Sequence, residues 1–105
     1  MESPVPLERD PSAVGIVPLS DEDLMGLAAA DDERAFAELV KRFQGRVTNL
    51  ISRVLNDREC SDDLAQEVFV RVYVHRRNYR RGAKFSTWLF TIAANLAKNE
   101  IRRRV

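Results

Sequence analysis

Between Tyr79 and Arg104 the chain reads YRRGAKFSTWLFTIAANLAKNEIRRR, and this stretch holds the side chains best suited to chemistry with a polyanion. Arg80, Arg81, Lys84 and Lys98 surround two planar rings, Tyr79 and Trp88, with Phe85 between them. Cations find a phosphate backbone, and rings stack on unpaired bases at roughly 1–3 kcal/mol per base. At about 100° per residue on a helix, Thr87, Thr91, Asn95, Lys98 and Arg102 gather on one face, offering hydroxyl, amide and cationic groups to a nucleic acid. Phe85, Trp88, Leu89, Ile92 and Leu96 recur at i, i+3, i+4, i+7 and i+11, an apolar stripe that must be buried. Most aromatic residues on such a stripe are core, so Trp88 is expected to be a core ring with one exposed edge.

The elements that position this stretch come from a chain of 105 residues, room for one small domain with one modest core. The net charge of +1 hides a polarity. Residues 1–70 hold 7 Lys+Arg against 15 Asp+Glu, and residues 71–105 hold 10 against Glu100 alone, that is −8 against +9. A solvated surface normally mixes its signs; segregation points to a polyanion partner for the C-terminal part and a different partner for the rest.

Residues 1–19 carry all four prolines, Pro4, Pro6, Pro11 and Pro18, without helical or alternating pattern, and are expected to form a flexible tail. Ser20 is a good N-cap for a short helix, with Asp21, Glu22 and Asp23 in its first turn; Asp31 and Asp32 look like a second start. From Asp32 to Asn56 the apolar positions hold the helical period for about six turns, with Gly45 predicting either a bend or a close backbone approach. Ser61 is predicted to cap a third helix from Asp62 to about Arg77, whose apolar stripe (Leu64, Ala65, Val68, Phe69, Val72, Tyr73) is wider than one helix contact requires. Asn78 to Lys84 reads as a loop in which Gly82 is free to take a positive φ. The expectation is an all-α bundle of about four helices over residues 20–105.

Catalytic and metal chemistry lack their usual parts: there is no P-loop, HExxH or CxxC, and His75 and Cys60 stand alone. His75, among arginines, reads as a surface or phosphate-contacting ring; Asp62 and Asp63 diverge on a helix and cannot converge on a metal. No enzyme, cofactor or metal site is expected. The acidic N-terminus lacks the form of a secretory signal and no apolar run approaches a membrane span, so the expected location is cytoplasmic, without membrane insertion.

DDLAQEVFVRVY, followed by NYRRGAKFSTWLFTIAANLAKN and a terminal RRR, resembles region 2 of bacterial sigma factors, most of all the extracytoplasmic-function (ECF) group. The likeness runs from about Leu19 to Arg104 and includes ADDERAFAELVKRF; YRRGAKFST is also similar to the melting segment of housekeeping sigma factors. The resemblance implies a subunit that joins RNA polymerase core and recognises and melts the promoter −10 element through its non-template strand. It assigns Asp63, Leu64, Gln66 and Glu67, with Phe69 and Val70 nearby, to the clamp helices of the polymerase β′ subunit. It assigns Tyr79, Arg80, Arg81 and Lys84 to a pocket for an extruded base and its phosphates, and Asn95 and Lys98 to the upstream edge of the element. An anti-sigma factor is implied as a further partner.

Ala83, Thr91 and Ile92 stand where housekeeping factors carry a loop aromatic and a tryptophan pair, so the unstacking wedge is reduced and a stricter promoter requirement is expected. The −35-reading second domain of these factors is absent from the chain, which is expected to be an excised domain. Two other readings compete: a helical protein-interaction module with a vestigial DNA face, and a double-strand helix-turn-helix regulator using Phe85 to Arg104 as recognition helix.

Overall fold

Three side-chain caps set where the helices begin in the computed structural model, which describes residues 18–104. Ser20 Oγ accepts from Asp23 N–H at 3.0 Å and opens α1, Asp21–Ala29. Asp32 Oδ1 accepts from Arg34 N–H at 3.0 Å and Ala35 N–H at 3.2 Å and opens α2, Glu33–Leu55. Asp57 accepts from Cys60 N–H at 3.1 Å and opens α3, Arg58–Val74. A short 3-10 turn, Arg76–Asn78, and a loop then lead to α4, Phe85–Arg104. No strand occurs among the described residues. The expected tail lies, but for Pro18 and Leu19, outside them.

Several expectations are corrected by the helix bounds. The cap of α3 is Asp57 rather than Ser61, whose fully buried hydroxyl donates to the Asp57 carbonyl at 2.6 Å from inside the helix. The same helix stops at Val74 instead of Arg77, where the backbone tightens into the 3-10 turn. Asp31 is also not a helix start: it sits at φ 73°, closing the α1–α2 turn in a left-handed conformation that Asp tolerates. α2 runs through Gly45 without interruption, and a Cβ there would meet nothing within 4 Å, so no other backbone demands the glycine.

The core lies where α2, α3 and α4 meet, closed at one end by Leu24, Met25 and Ala28 of α1. α2 contributes Ala35, Leu39, Phe43, Val47, Ile51 and Leu55, an unbroken i+4 row. α4 contributes Phe85, Leu89, Ala93, Leu96 and Ala97, so its buried line is rotated from the predicted stripe: Trp88 and Ile92 are only half-buried. Small Ala93 and Ala97 take the positions nearest the neighbouring helices, and the larger Trp88 and Ile92 flank that line. Phe43, midway along α2, meets Phe85 at the start of α4 edge-on at 5.4 Å, and Asp57, just past the end of α2, meets Arg104 at the end of α4 at 3.1 Å, so α2 and α4 run in the same direction with α3 antiparallel to them.

Candidate nucleic-acid interface

The loop before α4 is held by its own aromatic residue. Tyr79 lies 5.3 Å from Trp88 in a tilted stack and 6.1 Å edge-on to Phe85, and its hydroxyl donates to the Ala83 carbonyl across the turn. Gly82, at φ 94°, lets the chain reverse there. Burial pushes the Tyr79 phenol above its usual range, reinforced by the Glu22 charge, so the ring stays a neutral donor. Arg80, Arg81 and Lys84 are exposed around this closed loop.

α1 clasps the same loop, a role that its sequence pattern did not reveal. Glu22 accepts from Phe85 N–H at 2.7 Å and so caps α4 from another helix. One turn further on, Gly26 leaves room for Arg81: a Cβ at that position would lie 3.3 Å from the Arg81 guanidinium. Both contacts join residues too far apart in sequence for periodicity to register.

Along α4, Thr87, Thr91, Asn95 and Lys98 are all exposed and line one shallow depression with Ser86, Phe90 and Ala94. The Thr91 hydroxyl donates to the Thr87 carbonyl at 2.8 Å, which leaves its lone pairs for an outside donor. Arg102 is exposed beyond the depression and donates to Asn99. Phe85 departs from its assignment to this face. It is 0 % exposed, the floor under Tyr79 and Trp88, because the first residue of the buried row must enter the core. Trp88 is half-buried.

The charge polarity of the sequence is partly spent inside the fold. Arg76 and Arg77 both reach Asp31, each at 2.8 Å; Arg71 pairs with Glu67 at 3.2 Å. Arg103 and Arg104 converge on Glu100, 9 % exposed, at 2.6 and 3.0 Å, and Arg104 also reaches Asp57 at 3.1 Å. The Arg76 hydrogen bond holds Asp31 below the usual carboxylate range, and those of Arg103 and Arg104 do the same for Glu100. Among the described residues, Arg80, Arg81, Lys84, Lys98 and Arg102 have no acidic partner within 4 Å, and all five flank the loop or the α4 face. The terminal RRR therefore divides: Arg102 stays outward while its two neighbours bind the structure together.

The second predicted surface lies on α3. Asp63, Gln66 and Val70 are exposed, Val70 to 53 %, and Leu64 and Glu67 are half-buried. Phe69 is corrected to a core residue, 7 % exposed, although its edge joins Gln66, Val70 and Tyr73 in the wall of a groove facing Phe36, Val40 and Gln44 of α2. The groove encloses about 750 Å³, enough to take side chains of a partner helix, and Gly45 keeps its wall open. Asp63, Leu64 and Glu67 lie outside it. Among the described residues, no cluster of His, Cys, Asp and Glu is arranged to hold a metal, and no helix is long and apolar enough to cross a membrane.

An all-α bundle with unpaired cations and rings along one helix and the loop before it is of the nucleic-acid-binding class. The chain belongs to the Sigma-70 region 2 family, whose model matches residues 39–105. It is 38% identical over 84 residues to the RNA polymerase sigma-H factor of Pseudomonas aeruginosa, covering 80% of this chain and 44% of that protein. It is 38% identical over 73 residues to the ECF RNA polymerase sigma factor SigW of Bacillus subtilis, covering 70% of this chain and 39% of that protein. Its fold is similar to an engineered region 2 of sigmaE, solved by NMR in complex with GTAAAA, at a TM-score of 0.76 and 36% identity, covering 82% of this chain and 90% of that one. These likenesses make it an ECF-type region 2 domain, and the chain spans less than half the length of these full-length relatives.

Proposed function

We propose that this chain is the part of an ECF sigma factor that docks on RNA polymerase core and recognises and melts the promoter −10 element, binding without catalysing. The observation that carries the reading is that Arg80, Arg81 and Lys84 lie on the loop of the Tyr79–Trp88 stack and Lys98 and Arg102 further along α4, all without an acidic partner among the described residues, while the other cations of the C-terminal segment are paired. In it, Tyr79, Arg80, Arg81 and Lys84 hold an extruded base and its phosphates, and Trp88 offers its exposed part. Thr87, Thr91, Asn95 and Lys98 follow the non-template strand to the duplex edge, with Arg102 on a phosphate beyond. Asp63, Leu64, Gln66, Glu67 and Val70 meet the β′ clamp helices, and the groove between α2 and α3 takes apolar side chains from them. Such a surface is also one that an anti-sigma factor would cover, and its place of work is the cytoplasm.

The test compares binding of the protein to a single-stranded oligonucleotide carrying GTAAAA and to the matching duplex. Tighter binding to the single strand is expected, because rings stack on unpaired bases. A preference for intact duplex would replace this reading with the helix-turn-helix one. Capture of a β′ clamp-helix fragment tests the docking half, and loss of that capture in Val70→Asp is the expected outcome.

A further inference from the structure

One exposed cation beside the proposed DNA face comes from neither the loop nor α4. Arg46 belongs to α2, three residues after the buried ring of Phe43, and its guanidinium lies over that ring at 4.4 Å from the centroid. It also lies 5.8 Å from the ring of Phe90, and Phe90 lines the depression that holds Thr87, Thr91, Asn95 and Lys98. Phe43 and Phe90 themselves meet edge-on at 6.1 Å, so two rings of different helices form the platform on which the guanidinium rests. A side chain held over one ring and close to a second has less rotamer freedom left to lose when a ligand arrives. Among the described residues Arg46 has no acidic partner within 4 Å, unlike Arg42 one turn earlier, which is held by Asp21 at 2.9 Å and Glu38 at 3.2 Å.

We infer that Arg46 is a phosphate-binding residue of the DNA face, fixed by the Phe43–Phe90 platform, so that the single strand is gripped from α2 as well as from α4. The inference rests on the proposed −10 reading and widens its site to a helix outside the loop and α4. A guanidinium in this position neutralises a phosphate whatever base is attached, so it contributes affinity without sequence preference.

The test measures binding of the whole 105-residue protein to single-stranded GTAAAA oligonucleotide across a salt series. Arg46→Met keeps a long side chain over both rings and removes only the charge; Arg46→Lys keeps the charge; Lys41→Ala removes an exposed cation elsewhere on α2. Each phosphate contact on a single strand contributes a slope of about 0.7 in log affinity against log salt. Arg46→Met is expected to flatten the slope by about 0.7 and weaken binding about fivefold at 0.1 M salt, on this sequence and on a scrambled one alike. Arg46→Lys should keep the slope, and Lys41→Ala should match the parent. An unchanged slope in Arg46→Met, with Arg80→Ala and Lys84→Ala weakened, would overturn the role of Arg46 and leave the −10 reading standing. An equal loss of slope in Arg46→Lys would overturn it too, by making the residue a packing element. If Arg80→Ala and Lys84→Ala also bound as the parent does, the −10 reading itself would fail.

Discussion

At the scale of single residues, exposure and pairing separate two kinds of contact on the α4 side. Arg80 and Lys84 are exposed charges on a closed loop, suited to phosphates, whereas Asn95 presents an amide in the middle of a polar depression and is suited to a base edge. Arg80→Ala or Lys84→Ala is therefore expected to weaken binding to every sequence and flatten its salt dependence, while Asn95→Ala should narrow the gap between preferred and mismatched sequences, a discrimination of about 1–3 kcal/mol when both amide bonds are made. Competition titrations on matched and mismatched oligonucleotides check both; a uniform loss for Asn95→Ala would remove it from base reading. Periodicity placed Asn95 and Lys98 correctly because a helix face follows from spacing alone. It drew the buried stripe through Trp88 and Ile92, whereas Ala93 and Ala97 are the buried positions, because spacing cannot tell which edge of an apolar stripe faces inward.

At the scale of elements, the caps show which local signals suffice and which do not. Ser20 and Asp32 were legible because each stands just before a helical apolar period, whereas the cap of α3 was placed at Ser61 and lies at Asp57: both are good N-cap types, and only the folded helix decides between them. The clasp of α1 on α4 was not legible at all, since Glu22 and Phe85 are joined only by tertiary structure. Removing that carboxylate leaves the first N–H of α4 without its acceptor. Glu22→Ala is expected to cost about 1 kcal/mol, in the range of lost helix caps, lowering the melting temperature by about 4–8 °C for a domain of this size. Glu22→Gln, which keeps an acceptor, should lose much less. Because the same contact sets where the Tyr79 loop meets α1, Glu22→Ala should also weaken oligonucleotide binding beyond any loss of folded protein, measured well below the melting temperature.

The ends of the bundle add a pH dependence that belongs to the elements they join. Glu100 accepts from Arg103 and Arg104, and Arg104 carries the link on to Asp57 at the start of α3. The carboxyls of Glu100, Asp57 and Asp31 are all held below their ordinary range, Asp57 first by the Cys60 N–H that it caps. A carboxylate whose pKa is lower in the folded state contributes stability that is complete above its unfolded value, about 3.9 for Asp and 4.3 for Glu, and is lost as pH falls through the folded value. Urea unfolding is expected to show no contribution from these groups to pH dependence between roughly pH 6 and 8 and a decline below about pH 4. Glu100→Gln should make that decline shallower; an equally steep acid transition in the variant would show that its bridge is not coupled to folding.

For the whole molecule, the two proposed surfaces occupy different parts of the bundle: the DNA face runs along the loop and α4, and the groove opens between α2 and α3. They meet at α2, which lends Phe43 and Arg46 to the ring platform on one side and Val40 and Gln44 to the groove on the other. Close packing of this kind transmits position but offers no second arrangement among the described elements, so the surfaces should act as independent sites whose free energies add. Val70→Asp sets a charge on the groove wall where an apolar partner would be desolvated, which should abolish capture of the polymerase clamp helices and leave affinity for the oligonucleotide within experimental error. Lys98→Ala should do the reverse. The double variant should then show the two single losses side by side, each of its own size; a Val70→Asp protein that keeps its melting temperature but loses oligonucleotide binding would mean that the groove and the DNA face are coupled through α2.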